Sequence, residues 1–100
     1  MIITDDIQFT DVDGRDTGKS LKVFALTTCG FCKRAMAFMK EQGVSFSYVY
    51  IDELGPDVKQ RLKDRFFEEF GKKMLFPTLL IDEKDFLPGF IRLHWEKVVA

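Results

Sequence analysis

Leu21-Lys22-Val23-Phe24-Ala25-Leu26-Thr27-Thr28-Cys29-Gly30-Phe31-Cys32-Lys33-Arg34-Ala35-Met36 decides the fold. Its first six residues form a short apolar run with branched and aromatic side chains, the pattern of a strand buried on both faces. The periodicity then changes. Cys32, Ala35, Met36 and Met39 fall at i, i+3, i+4 and i+7 on one helical face, and Gly43 stands where a C-terminal cap belongs. The two cysteines therefore sit at a strand-to-helix junction. Cys29 meets the unpaired N–H groups and positive dipole end of the helix, which favour negative charge on its sulfur. Cys32 lies one turn inside on the apolar face, within disulfide reach of Cys29. The predicted division of labour is an attacking sulfur outside and a resolving sulfur inside. Lys33 and Arg34 oppose the helix dipole and add positive charge beside that outer sulfur.

Downstream, Val44-Ser45-Phe46-Ser47-Tyr48 alternates and runs into Val49-Tyr50-Ile51 as a second strand. Strand, helix, strand implies a parallel pair joined by a right-handed crossover. Glu53-Leu54 leads into a helix that starts at Pro56, repeats Val58, Leu62, Phe66 and Phe70 every fourth residue, and stops at Gly71; Phe67 is counted as core with its neighbours. Leu79-Leu80-Ile81 and Phe86-Leu87, separated by Asp82 to Asp85, predict a hairpin. Gly89 opens a last helix that buries Ile91, Trp95 and Val98 and leaves His94 exposed. Upstream, residues 1–20 read as a loose arm carrying one strand or hairpin, with an Asp13-Gly14 turn signal. Asp11 and Asp13 do not make a calcium loop, because Phe9 replaces the first acidic ligand and no closing Glu follows Gly18-Lys19. The expected architecture is α/β: a mixed four-stranded sheet flanked by three helices over residues 21–100, with residues 1–20 as an N-terminal extension.

One hundred residues fit a single domain, and 46% hydrophobic with 31% charged residues supply a core. Lys+Arg 15 against Asp+Glu 16 leaves a net charge of −1, with no basic field to hold nucleic acid. The apolar runs are too short to span a bilayer, and Met1-Ile2-Ile3-Thr4-Asp5-Asp6 has no basic flank or long apolar stretch of a secretory signal. A cytoplasmic monomer is expected. A disulfide closing a two-residue loop adds little stability, and a zinc site needs four ligands where His94 is the single histidine. The pair thus points to thiol–disulfide exchange, with no bound cofactor and no metal. A non-catalytic binding or metal-holding module, in which Cys29 and Cys32 supply two ligands, is the alternative of another class.

Cys29-Gly30-Phe31-Cys32-Lys33-Arg34-Ala35-Met36, with Gly43-Val44-Ser45-Phe46, Phe76-Pro77-Thr78 and Gly89-Phe90, resembles the glutaredoxins and glutaredoxin-like redoxins of the thioredoxin superfamily over about residues 20 to 99. The resemblance implies a thioredoxin fold and reduction of protein or glutathione mixed disulfides through Cys29 and Cys32. It also implies a cis Pro77 facing the cysteines, with Phe76 offering its backbone to an extended substrate. Gly30, Phe31, Gly89 and Phe90 complete the implied substrate-binding set, and Phe31, Phe76 and Phe90 are expected to converge as an apolar apron for disulfide-containing protein substrates.

The departures bear on the reductant. Gly30-Phe31 stands where the family's dithiol members have Pro-Tyr, and Leu26 where a lysine precedes the first cysteine. Pro88-Gly89-Phe90-Ile91-Arg92 replaces the Gly-Gly and acidic clamp for glutathione. Lys72 and Lys73, just before the Pro77 loop, read either as a solvated basic turn or as partners for a glutathione carboxylate, with Lys73 the candidate binding residue. Gly89-Phe90 with Arg92 is similar instead to the glutaredoxin-like electron donors fed by thioredoxin reductase. Glutathione and thioredoxin reductase are both expected reductants at this point.

Overall fold

The structure, a computed structural model, describes residues 3–100. Its elements are β1 (Thr10–Val12), β2 (Leu21–Ala25), α1 (Gly30–Glu41), β3 (Phe46–Tyr50), a 3-10 turn (Ile51–Glu53), α2 (Pro56–Phe70), β4 (Thr78–Ile81), β5 (Asp85–Pro88) and α3 (Arg92–Val99). The sheet order is β1-β3-β2-β4-β5. Strand β2 runs parallel to β3 and antiparallel to β4, so the strand–helix–strand unit and the hairpin both stand as the sequence predicts.

The sheet has five strands where four were expected. The fifth comes from the arm: Thr10, Asp11 and Val12 pair antiparallel with Tyr48, Ser47 and Phe46. The arm is not loose, because Arg15 brackets the start of β3. Its N–H donates to the Gly43 carbonyl (2.7 Å), and its carbonyl accepts from the Ser45 N–H (2.9 Å). Gly14 fits this close approach only for lack of a side chain, since a Cβ there would lie 2.5 Å from the Val44 carbonyl carbon. Farther upstream, Ile3 is buried with Phe24, Leu62 and Met74, and Asp6 pairs with Arg61 (3.0 Å) and Arg65 (2.7 Å) on α2.

Alternation along β2 and β4 divides the core. Val23, Ala25 and Leu79 face α1 and α3, where they meet Cys32, Ala35, Met39, Trp95 and Val99. Phe24 and Leu80 face α2, against Leu62 and Phe66. A central strand buried on both sides explains the unbroken apolar run at residues 23–26.

Two helical faces differ from expectation. Phe67 is 54% exposed, because it lies one position past Phe66, whose ring occupies the core face. The last helix begins at Arg92, three residues later than Gly89, so its buried side is Trp95 and Val99; Val98 is half-buried and Ile91 is 53% exposed. Gly89 is withheld from the helix by a φ of 70° and by its N–H, which donates to the Pro77 carbonyl (2.7 Å). His94 is exposed, as its helical position implied.

Replacing Gly14 with Ala forces the arm off the start of β3. The expected loss is about 1–3 kcal/mol, read as a lower urea midpoint for global unfolding; an unchanged midpoint would show that the arm does not depend on this approach.

Candidate functional site

Strand β2 ends at Ala25, and four residues later the chain enters α1 through Cys29, the residue at the N-cap. Its backbone is extended (φ −94°, ψ 117°), and its sulfur accepts the N–H of Cys32 at 3.2 Å. Cysteine thus takes the place usually filled by Ser, Thr, Asp or Asn, and satisfies one of the donors a helix start leaves over. No acidic residue shares the first turn of α1. The amide dipoles and this N–H accordingly converge on the Cys29 sulfur without a carboxylate competing for them.

The two thiols are free and differently placed. Cys29 is partly exposed, whereas Cys32 is 1% exposed among Ala35, Met36 and Met39. Burial first, then the hydrogen bond to Cys29 and the electrostatic influence of that neighbour, push the Cys32 thiol up to about 12 from an ordinary 9.0. Asp52 adds to that shift in the same direction. Cys32 is therefore a protonated thiol at neutral pH, shielded behind a reachable partner.

Two residues that the motif reading did not single out hold this junction. Asp52, in the 3-10 turn after β3, accepts the Thr27 N–H at 3.0 Å through Oδ1 and the Thr27 hydroxyl through Oδ2. These bonds, the hydroxyl first, keep the Asp52 carboxyl below the usual range. They fasten the loop that carries Cys29 to the neighbouring strand end. The signal in the sequence was the Thr27-Thr28 and Asp52-Glu53 pairs at two strand ends, but nothing local says that they meet.

The Phe76–Pro77 peptide is cis, and Pro77 is buried. Its loop is tied at both ends: the Thr78 hydroxyl donates to the Leu75 carbonyl (2.5 Å), and the Pro77 carbonyl accepts from Gly89. Gly89 in turn accepts from the Trp95 indole N–H (3.1 Å). This brings the Pro77 and Gly89–Phe90 segments together, and Phe76, Phe90 and Cys29 all pack at the edge of the cluster that contains Cys32. Phe90 is not a free apron residue, because its half-buried ring is wedged between Phe38 (5.5 Å between centroids) and Trp95 (5.2 Å). Phe31 is 61% exposed, with the Arg34 guanidinium over its ring at 5.4 Å. Gly30 and Phe31 flank the sulfurs. Lys73 lies elsewhere, in a groove of about 380 Å³ along α2 that also holds Lys63 and Phe67. Among the described residues no further His, Cys, Asp or Glu joins the two sulfurs as a metal-binding group, and no helix is long and apolar enough to cross a membrane.

A family model described as Glutaredoxin matches residues 21–86. No curated protein matches the chain. Among solved structures, the glutaredoxin from Methanosarcina mazei Go1 is 25% identical, with a TM-score of 0.79 over 93% of this chain and 88% of its own. Methanoredoxin from Methanosarcina acetivorans shares the fold at 24% identity and a TM-score of 0.79, over 95% and 97% of the two chains. A buckwheat glutaredoxin, determined in complex with glutathione, shares it at 19% identity and a TM-score of 0.63, over 82% and 74%.

Two outcomes follow from the asymmetry of the sulfurs. In the folded, reduced protein at neutral pH, a brief pulse of iodoacetamide labels about one thiol per chain by mass, at Cys29; equal labelling of Cys32 would contradict its burial. The fold holds the Cys32 proton more tightly than the unfolded chain does. The resulting contribution to stability is complete below pH 9.0 and is lost as pH rises toward about 12. The difference between wild-type and Cys32→Ala unfolding free energies should shrink over that interval, and parallel curves would contradict the shift. For the loop, Asp52→Ala should lower the rate of disulfide exchange severalfold while Asp52→Asn, which keeps an acceptor for Thr27, recovers most of it.

Proposed function

The chain belongs to the glutaredoxin family, and from that membership and the geometry of its two sulfurs we propose that it is a thiol-disulfide oxidoreductase that reduces protein disulfides and glutathione mixed disulfides. The single observation that carries this reading is the cap: a reachable Cys29 sulfur that accepts the N–H of a buried, protonated Cys32.

Cys29, as thiolate, attacks one sulfur of the substrate disulfide. A new S–S bond forms, the substrate bond breaks, and the departing sulfur leaves as a thiolate that takes a proton from solvent. At that moment the charge on Cys29 is gone, and with it one of the causes that hold the Cys32 proton. Cys32 then gives its proton to solvent and attacks the Cys29 sulfur; the Cys29–substrate bond breaks, and the second substrate sulfur leaves as a thiolate that is protonated by solvent. Two electrons pass from the dithiol to the substrate, and the protein is left with a Cys29–Cys32 disulfide. The ordering follows from placement: Cys29 is reachable and reacts first, and the buried Cys32 resolves the adduct formed beside it.

Gly30 and Phe31 border the attacking sulfur, and the Phe76 backbone at cis Pro77 serves as the edge for an extended substrate. Gly89 holds that loop from behind, and Phe90 supplies an apolar border through its partly buried ring. The work suits the cytoplasm, where the pool of thiols keeps such a pair reduced, and a single subunit suffices.

Glutathione is the reductant in this reading, in keeping with the family and with the buckwheat relative determined in complex with it; Lys73, in the groove along α2, lies apart from the sulfurs and takes no part in it. The second reading, an electron donor fed by thioredoxin reductase, is favoured by one observation. The segment Pro88-Gly89-Phe90-Ile91-Arg92 is built around an aromatic anchor and presents no acidic clamp.

Cys29→Ser should abolish reduction of a protein disulfide, whereas Cys32→Ser should accumulate the mixed disulfide; activity surviving in Cys29→Ser would sink the dithiol mechanism. Oxidised protein given glutathione should regain two thiols per chain. Recovery confined to thioredoxin reductase with NADPH would transfer the reductant's role to the second reading.

A further inference from the structure

Beside Cys29, a shallow notch of about 210 Å³ is walled by Gly30, the Phe31 ring and Arg34. Gly30 adds no side chain to it, and a Cβ there would stand in open space. Phe31 is exposed, and Arg34, one turn on, lays its guanidinium over the ring at 5.4 Å, a contact that orients the cation while leaving its donors toward solvent. Among the described residues, the carboxylates that form ion pairs are taken by Lys22, Arg61, Arg65 and Arg92. Arg34 has no such partner, nor has Lys33. The first turn of α1 carries no acidic residue to compensate them, so two cations stand against the helix dipole. A cation fixed on an aromatic face, unneutralised, at the mouth of an apolar notch that begins at Gly30, the residue after the attacking cysteine, is suited to an anionic group delivered with the substrate.

We infer that this notch is a specificity seat for polypeptide disulfides with a glutamate or aspartate flanking the attacked cysteine. The inference rests on the dithiol reading above. The methylene of the acidic side chain lies over Gly30 and the Phe31 ring, and its carboxylate meets the Arg34 guanidinium, in a charge-assisted pair for which arginine's fork is well shaped. The seat biases which disulfide docks, while the exchange itself remains with Cys29 and Cys32. Arg34 is thus a positioning residue.

The test uses the full-length reduced protein in a single turnover, so that no external reductant enters. The probes are short peptide pairs joined by one disulfide, with Glu, Gln or Lys flanking the cysteine, and glutathione disulfide as a fourth substrate. The Glu peptide should react roughly threefold to fivefold faster than the Gln peptide, as expected for one partly exposed charge pair, and the Lys peptide slowest. High ionic strength should compress the series. Arg34→Gln should bring the Glu-to-Gln ratio close to one, and Arg34→Glu should invert the order in favour of Lys. Lys33→Gln removes the same charge from outside the notch and should leave most of the discrimination in place. Equal rates for the three peptides, or equal loss of discrimination in the Lys33 and Arg34 variants, would overturn the seat while leaving the oxidoreductase intact. An Arg34 effect confined to glutathione disulfide would assign the cation to the tripeptide and overturn it too. A wild-type protein that reduces none of the four would take down the dithiol reading and the seat together.

Discussion

One hydrogen bond organises this molecule's chemistry: the Cys32 N–H donated to the Cys29 sulfur across the first turn of α1. It makes the outer cysteine part of the helix cap, so the geometry that starts the helix also aims a dipole and a donor at the sulfur. It also fixes the inner cysteine one turn down, where packing against Ala35, Met36 and Met39 excludes water. The exposure of one sulfur and the shielding of the other are therefore two results of one local conformation. The bond depends on where β2 ends, and Asp52, holding Thr27 by two hydrogen bonds, keeps that end in place.

The rest of the fold serves this junction. A β2 strand covered on both faces has no freedom to slip, because a one-residue shift would exchange Val23 and Ala25 with Phe24 between two separate cores. The cis-Pro77 segment reaches the site through a chain of contacts. Trp95, fully buried, holds the Gly89 carbonyl, and Gly89 holds the Pro77 carbonyl. Helix α3, distant in sequence from the cysteines, thereby sets the position of the loop opposite them.

What was legible in the sequence was what is local. The cap at Cys29, the glycine after α1, Pro56 at the start of α2 and the hairpin between Leu79 and Leu87 each follow from neighbours within one or two turns. What was not legible depends on residues far apart. The pairing of Thr10–Val12 with β3 needs Arg15 to meet Gly43 and Ser45, and the Thr27–Asp52 tie spans two strand ends. Lys22, Thr4 and Glu83 likewise form a cluster whose members are dispersed along the chain. The misplaced face of α3 has a different cause. The sequence suggests Gly89 as a helix opener, yet its φ of 70° and its bond to Pro77 tie it to the Pro77 loop, and this shifts the helix start to Arg92. Phe90, read as part of an open apron, is bound between Phe38 and Trp95 because its segment doubles as an anchor for that loop.

The most direct measurement of the central claim is to acid-quench wild-type reduced protein at intervals during reaction with a protein disulfide and to map, by mass spectrometry, which cysteine carries the substrate. The adduct should appear on Cys29 alone and decay into a Cys29–Cys32 disulfide. An adduct that forms first on Cys32, or that is shared equally between the two, would contradict the assignment of attacker and resolver on which the mechanism stands.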